Sequence, residues 1–241
     1  MPAVPASTID LPSPDATQAL AQGIASILLP GDVLTLDGPL GAGKTTIARA
    51  LAHALGVHPH AVSSPTFVVI NHYAVPAPAP GPLAGGELLH VDAYRLSGPD
   101  DAPSLGWDDL FDPATRRARG QRAAIIEWAE RIRELLPVDA AHLSLAPTGQ
   151  DSRRATLTIH DSWLSRPGVE QLLQRPPTRC RTSGRWVSPT SPTYPFIDQR
   201  SAHADLFGWL SGSYRTSREP GPEDSADAPD PDERPDAPLG R

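Results

Sequence analysis

The sequence is short of several things, and each shortage excludes something. It holds one cysteine, Cys180, in 241 residues. An internal disulfide and a paired-cysteine metal site are therefore impossible, which suits a reducing compartment. No apolar run approaches the roughly 20 residues that a membrane helix needs. The start, "MPAVPASTIDLPSPDATQ", has neither the basic opening nor the apolar centre of a secretory leader. No membrane association is expected, and the expected location is the cytoplasm. Positive charge is in deficit, with a formal net charge of -7, which argues against broad, nonspecific nucleic-acid binding. Hydrophobic residues make up 39% and prolines number 29, so part of the length is expected to lie outside a packed core. Lysine is scarcest of all. Lys44 is the only one, and every other basic side chain is arginine.

That lysine sits in "LDGPLGAGKTT", Leu36 to Thr46. Gly38-Pro39-Leu40-Gly41-Ala42-Gly43-Lys44-Thr45 fits G-x-x-x-x-G-K-S/T, the phosphate-binding loop that joins a strand to a helix. Here "DVLTLDG" reads as the strand and "KTTIARALAHAL" as the helix, with Ile47, Leu51, Ala54 and Leu55 on one face and Gly56 as its stop. Glycines let successive N–H groups of a loop turn inward toward phosphate oxygens, and the helix N-terminus adds its dipole. Lysine reaches the β and γ phosphates as a compact point charge, where a planar guanidinium fits less well. Thr45 supplies a hydroxyl for Mg²⁺. The candidate nucleotide-binding residues are Gly38, Leu40, Gly41, Ala42, Gly43, Lys44, Thr45 and Thr46.

Around this loop the pattern alternates. "STID" is a short edge strand, and "PDATQALAQGIASILL" has helical spacing with Ser13 as N-cap. "SPTFVVINHYAV", "ELLHVDAY" and "AAIIEW" read as strands, and "AHLSLAP" and "RRATLTIH" as closing strands. Strands alternating with helices predict an α/β fold with a largely parallel sheet.

A phosphate loop alone binds nucleotide; hydrolysis also needs a carboxylate for the metal and a group that orients water. Asp92 follows "LLHV" and Glu127 follows "AAII", both at strand ends, where the sites of open α/β sheets lie. Lys44, Asp92 and Glu127 are the candidate catalytic residues, and Thr45, Asp92 and Glu127 the candidate metal ligands. The residues do not divide the roles of the two carboxylates. Thr66, in "SSPTF", occupies the interval where related folds place a γ-phosphate-sensing switch. Trp128 is a candidate for the site edge. Arg153 and Arg154 either touch the nucleotide or tRNA or form a solvated pair flanking a turn, the second being the preferred reading, and His72 and His90 read as structural residues with no metal-site spacing.

Four motifs in order, "GPLGAGKTT", "SPTF", "HVDAYRL" and "IIEW", resemble the TsaE (YjeE) family of bacterial ATPases in tRNA threonylcarbamoyladenosine biosynthesis. The resemblance covers roughly residues 7 to 162. Its early S-x-E-x-T element is present as Ser13 to Thr17 with Asp15 for glutamate. The resemblance implies a P-loop NTPase-like three-layer sandwich that binds ATP with Mg²⁺ and hydrolyses it slowly. It implies TsaB-like and TsaD-like partners, which form N6-threonylcarbamoyladenosine at adenosine 37 of tRNAs reading ANN codons. Contact with tRNA would then be indirect, through that assembly. Lys44 and Thr45 match the loop pair, Asp92 the H-x-D aspartate, Glu127 and Trp128 the I-E-W pair, and Thr66 the switch-like threonine. "PAPAPGPLAGG" is longer than the family's usual hairpin, and Asp108 and Asp109 stand where many members have glutamate nearby.

A small-molecule or nucleoside kinase is the alternative, with the arginines of "TRRARGQR", Thr115 to Arg122, as its phosphate-clamping lid. A nucleotide-gated binding module without turnover is a third reading. Residues 1–165 are expected to form the ATPase domain. Residues 166–241, Pro-, Ser- and Arg-rich and then acidic, are expected to be mostly disordered and dispensable for folding.

Overall fold

The computed structural model describes residues 5–63, 65, 69–96, 98, 101, 107 and 121–211. Its centre is a seven-stranded sheet of β1 (Ala6–Leu11), β2 (Val33–Asp37), β3 (Ile70–Ala74), β4 (Glu87–Asp92), β5 (Arg122–Glu127), β6 (Ala141–Pro147) and β7 (Arg153–Thr158). The spatial order is β1-β7-β6-β2-β5-β4-β3. The four inner strands β6, β2, β5 and β4 are parallel, β7 is antiparallel to both its neighbours, and β3 is antiparallel to β4. The expected α/β architecture with a largely parallel centre is the observed one.

Strand periodicity sorts the core into two layers. Leu34, Leu36, Leu88 and Ile125 face one side, where they pack with α1 (Pro14–Ile27) and α2 (Lys44–Ala54). Val33, Leu89, Val91, Ala124 and Ile126 face the other, against Ala129, Ile132 and Trp107. Helix α1 begins where the sequence supplies a cap. Ser13 is extended, its hydroxyl accepts from the Ala16 N–H at 3.2 Å, and Pro14 takes a position where no N–H is needed. Helix α2 starts directly from Gly43, which is left-handed at φ 102, and the chain leaves it through Gly56 at φ 88.

The ordered chain does not stop at residue 165. Arg166 grips Asp32 with two hydrogen bonds, at 2.5 and 2.9 Å, and lies 4.1 Å over the Trp163 ring. Beyond the short helix α3 (Asp161–Leu164), helix α4 (Val169–Gln174) buries Val169 and Leu172 in the same core as α1. A hairpin, β8 (Thr178–Arg179) and β9 (Trp186–Val187), and helix α5 (Gln199–Leu210) follow. The boundary expected at 165 therefore lies inside packed structure. Val169 and Leu172, with buried Cys180 and Val187 and the Arg166–Asp32 contact, seat a segment whose composition is otherwise that of a linker.

No helix among the described residues is long and apolar enough to cross a membrane.

Candidate functional site

The phosphate loop joins the end of β2 to the start of α2, and its backbone dictates its glycines. Gly38 has φ 141, and a Cβ there would meet the Leu145 carbonyl oxygen at 2.4 Å, a distance no side chain tolerates. Gly41 and Gly43 also take positive φ, 77 and 102. Leu40 is exposed at the tip and Ala42 is buried beneath it. Thr46 follows on α2 and lines a cleft of about 360 Å³ between α1 and α2, together with Thr17, Arg49 and Val62.

Lys44 is buried, and its Nζ donates to the carbonyls of Gly38 at 2.6 Å and Pro39 at 3.0 Å. It also lies 3.5 Å from the centroid of the Trp128 ring. Trp128 reaches this place because its backbone is left-handed at φ 58, an uncommon conformation for a bulky residue. Burial pushes the Lys44 ammonium below its ordinary pKa, opposed by the carboxylates of Glu127, Glu130, Asp92 and Asp37.

Strand parity places the carboxylates. His90, Asp92 and Glu127 alternate with Leu89, Val91 and Ile126 and so face the α2 side. The β4–β5 register sets Asp92 directly beside Glu127, and the β2–β5 register sets Glu127 beside Leu36. Thr45 Oγ1 donates to Glu127 Oε2 at 2.7 Å. Asp92 is buried, and its Oδ1 accepts from the Tyr94 N–H at 3.0 Å. The structure thus brings Lys44, Thr45, Asp92, Glu127 and Trp128 to one end of the sheet. Thr66, Asp108 and Asp109 lie outside the described residues.

The donor set suits a hard cation. It offers a hydroxyl and two carboxylates, all oxygen. Among the described residues no group of three or more His, Cys, Asp or Glu forms a self-contained metal cage. Mg²⁺ needs none, since it takes one or two carboxylates together with substrate phosphates and water.

A family model described as "Threonylcarbamoyl adenosine biosynthesis protein TsaE" matches residues 11–155. The chain belongs to the TsaE family. A Bacillus subtilis protein named tRNA threonylcarbamoyladenosine biosynthesis protein TsaE is 38% identical over 146 residues, 61% of this chain and 81% of that one. The Streptomyces coelicolor protein of the same name is 37% identical over 149 residues, 60% of this chain and 91% of its own. The crystal structure of Bacillus subtilis YdiB is similar with a TM-score of 0.53 and 30% identity, over 71% of this chain and 97% of that one.

Three more residues of this TsaE chain belong to the site: His90, the first residue of the H-x-D motif, and Arg153 and Asp37, whose local sequence does not announce it. His90, read as structural, places Nε2 2.8 Å from Glu127 Oε1, with both side chains buried. Arg153, read as solvated, donates from Nε to the Ala42 carbonyl at 2.9 Å and from its NH1 nitrogen to the carbonyls of Gly149, Gln150 and Ser152. It ties the β6–β7 turn to the phosphate loop. Its neighbour Arg154 pairs with Asp10 at the sheet edge, as a solvated residue would. Asp37, at the base of the loop, faces the opposite layer from Glu127. Burial and the adjacent Glu130 carboxylate push its pKa up to about 6, against the pull of Arg133 and Lys44.

Of the arginine run considered as a kinase lid, only Gln121 and Arg122 are among the described residues. Arg122 opens β5, at the end of the strand opposite Glu127, and pairs with Glu87 at 2.6 Å.

Proposed function

We propose that this chain is a Mg²⁺-dependent ATP hydrolase of the cytoplasm. Its nucleotide cycle supports an assembly of TsaB-like and TsaD-like proteins in forming N6-threonylcarbamoyladenosine at position 37 of tRNAs reading ANN codons. The observation that carries the hydrolase reading is the junction of the loop and β5: Thr45 donates to Glu127 while Lys44 Nζ sits beneath the same loop. Family membership supports the pathway.

On this reading the loop N–H groups and Lys44 bind the phosphates, Lys44 exchanging the Gly38 and Pro39 carbonyls for phosphate oxygens. Thr45, with Glu127 and Asp92, would hold Mg²⁺, which supplies neutralisation of the phosphate charge. Glu127, fixed on two sides, orients water or a metal-bound water. Trp128 excludes solvent from the Lys44 ammonium. The cleft beside Thr46 is the space for the nucleoside.

The test is phosphate release from ATP by the purified chain, alone and with TsaB-like and TsaD-like proteins of the same source. Low activity alone, raised by the partners and abolished by Lys44→Ala, supports the proposal. ATP turnover that needs a small-molecule acceptor and ignores the partners would replace it with the kinase reading.

A further inference from the structure

The twelve residues 175–186 contain four arginines, Arg175, Arg179, Arg181 and Arg185, and no carboxylate, in a chain whose net charge is -7. They lie beyond the residues that match the family model. All four are exposed, and none forms an ion pair among the described residues. Asp198 is the carboxylate that feels Arg185; with one carboxylate against four arginines, the element still holds a positive local field that the net charge conceals.

The element that displays them is firmly seated. Arg179 faces Trp186 across the β8–β9 pair, and the hairpin closes with Cys180 N–H to the Arg185 carbonyl and Gly184 N–H to the Cys180 carbonyl, both at 2.8 Å. Cys180 and Val187 are buried beneath it. At Gly23 of α1, a Cβ would come within 3.2 Å of Ser188 and 3.4 Å of Pro189, so the root of the hairpin packs against the helix backbone. Two of the guanidinium groups rest on aromatic rings, Arg179 at 5.2 Å from the Trp186 centroid and Arg175 at 5.2 Å from the Tyr194 centroid. Such stacking orients the guanidinium plane before any ligand arrives; Arg179 also donates from NH1 to the Gly184 carbonyl at 3.5 Å, which leaves its other N–H groups available.

Between the hairpin and α1 lies a cleft of about 580 Å³. Arg179, Arg185 and Trp186 form one wall; Gln18, Gln22 and Asp15, its single carboxylate, form the other. Guanidinium groups for phosphate, an aromatic ring for stacking and amides for base edges are the side chains that nucleic-acid surfaces combine. Unstacked bases of a folded RNA enter clefts of this kind, whereas a bilayer presents a flat surface.

We infer that the β8–β9 hairpin and the adjoining face of α1 form a docking surface for folded RNA, with Arg179, Arg181 and Arg185 contacting the phosphate backbone. The choice of tRNA as that RNA rests on the proposed function above. The chain then touches tRNA directly, through a segment separate from its nucleotide site.

The experiment is an anisotropy titration of the full chain with an unmodified tRNA transcript, without nucleotide, over a range of salt. Because no nucleotide is present, failure of the ATPase reading leaves its outcome intact. The combined Arg179→Ala, Arg181→Ala and Arg185→Ala variant is expected to bind at least tenfold more weakly, with the slope of log affinity against log salt reduced by about one for each arginine in contact. Lysine at the same three positions keeps the charge but not the ring-stacked fork, so it should restore the salt slope and recover only part of the affinity, and Arg154→Ala should keep all of it. Absence of binding, or binding indifferent to the alanine substitutions, would overturn the inference. So would tighter binding to phosphatidylserine vesicles than to tRNA that is lost in the same variant, since the surface would then face a membrane.

Discussion

His90 and Glu127 form a buried pair on adjacent parallel strands, Nε2 to Oε1 at 2.8 Å. The other oxygen of Glu127 accepts from Thr45 at 2.7 Å, so the carboxylate is fixed from both sides. His90 Nδ1 is buried with no hydrogen-bond partner, so the bond to Glu127 is the polar contact that orients the ring. His90 is a positioning residue. His90→Leu is expected to lower kcat for ATP hydrolysis by about 10- to 100-fold, the usual cost of removing a partner behind a metal-binding side chain, with KM for ATP little changed. His90→Gln, which keeps an N–H near the same place, should recover part of the loss; equal loss in both variants would contradict the positioning role.

Gly38 and the Leu145 carbonyl lie so close that a methyl group has no room, at 2.4 Å from Cβ to oxygen. Gly38→Ala therefore has to move either β6 or the loop. We expect a loss of about 2 kcal/mol or more in denaturant unfolding, with nucleotide binding lost as well. Unaltered binding would mean that the loop relaxes without cost.

Asp37 carries a pH signature. Burial, and then the Glu130 carboxylate, disfavour its ionised form in the fold, which raises its pKa from the ordinary 3.8 to about 6. A raised carboxylate pKa means that the folded state binds the extra proton between about pH 4 and pH 6, and stability falls as pH rises through that window. Asp37→Asn should remove this burden. The variant is predicted to be more stable than the parent above pH 6, by about 1–2 kcal/mol once the shift is discounted for the solvent access of this half-buried group, with the difference vanishing toward pH 4. Urea unfolding at several pH values measures it, and a pH-independent difference would contradict it.

The motifs were legible because their geometry is local. Lys44, Thr45 and the loop glycines are held by one turn of chain, and Glu127 and Asp92 end apolar strands. The Glu127 partner of His90, the histidine of the H-x-D motif, was not legible, because it comes from the β4–β5 register. Neither was Arg153, whose bond to Ala42 spans 111 positions. Asp37 and Glu130 lie on different elements and meet only after the sheet forms. Val169 and Leu172 escaped because a six-residue helix between proline- and arginine-rich stretches is too short for its periodicity to stand out.

Leu172 measures how far the domain extends. It is 1% exposed and packs with Val169 and Ile27 in the main core. Leu172→Ala should cost about 2–5 kcal/mol, as at other buried leucines, and truncation after residue 165 should destabilise the protein further. A truncated chain with unchanged unfolding would restore the boundary expected from composition.

The most direct test of the account is ATP hydrolysis measured with and without Mg²⁺ for the parent chain, Lys44→Ala and Glu127→Gln. The account predicts turnover by the parent only with Mg²⁺, no turnover by Lys44→Ala, and nucleotide binding without turnover by Glu127→Gln. Turnover by Glu127→Gln at the parent's rate would contradict the assignment of the Thr45–Glu127 junction as the catalytic centre.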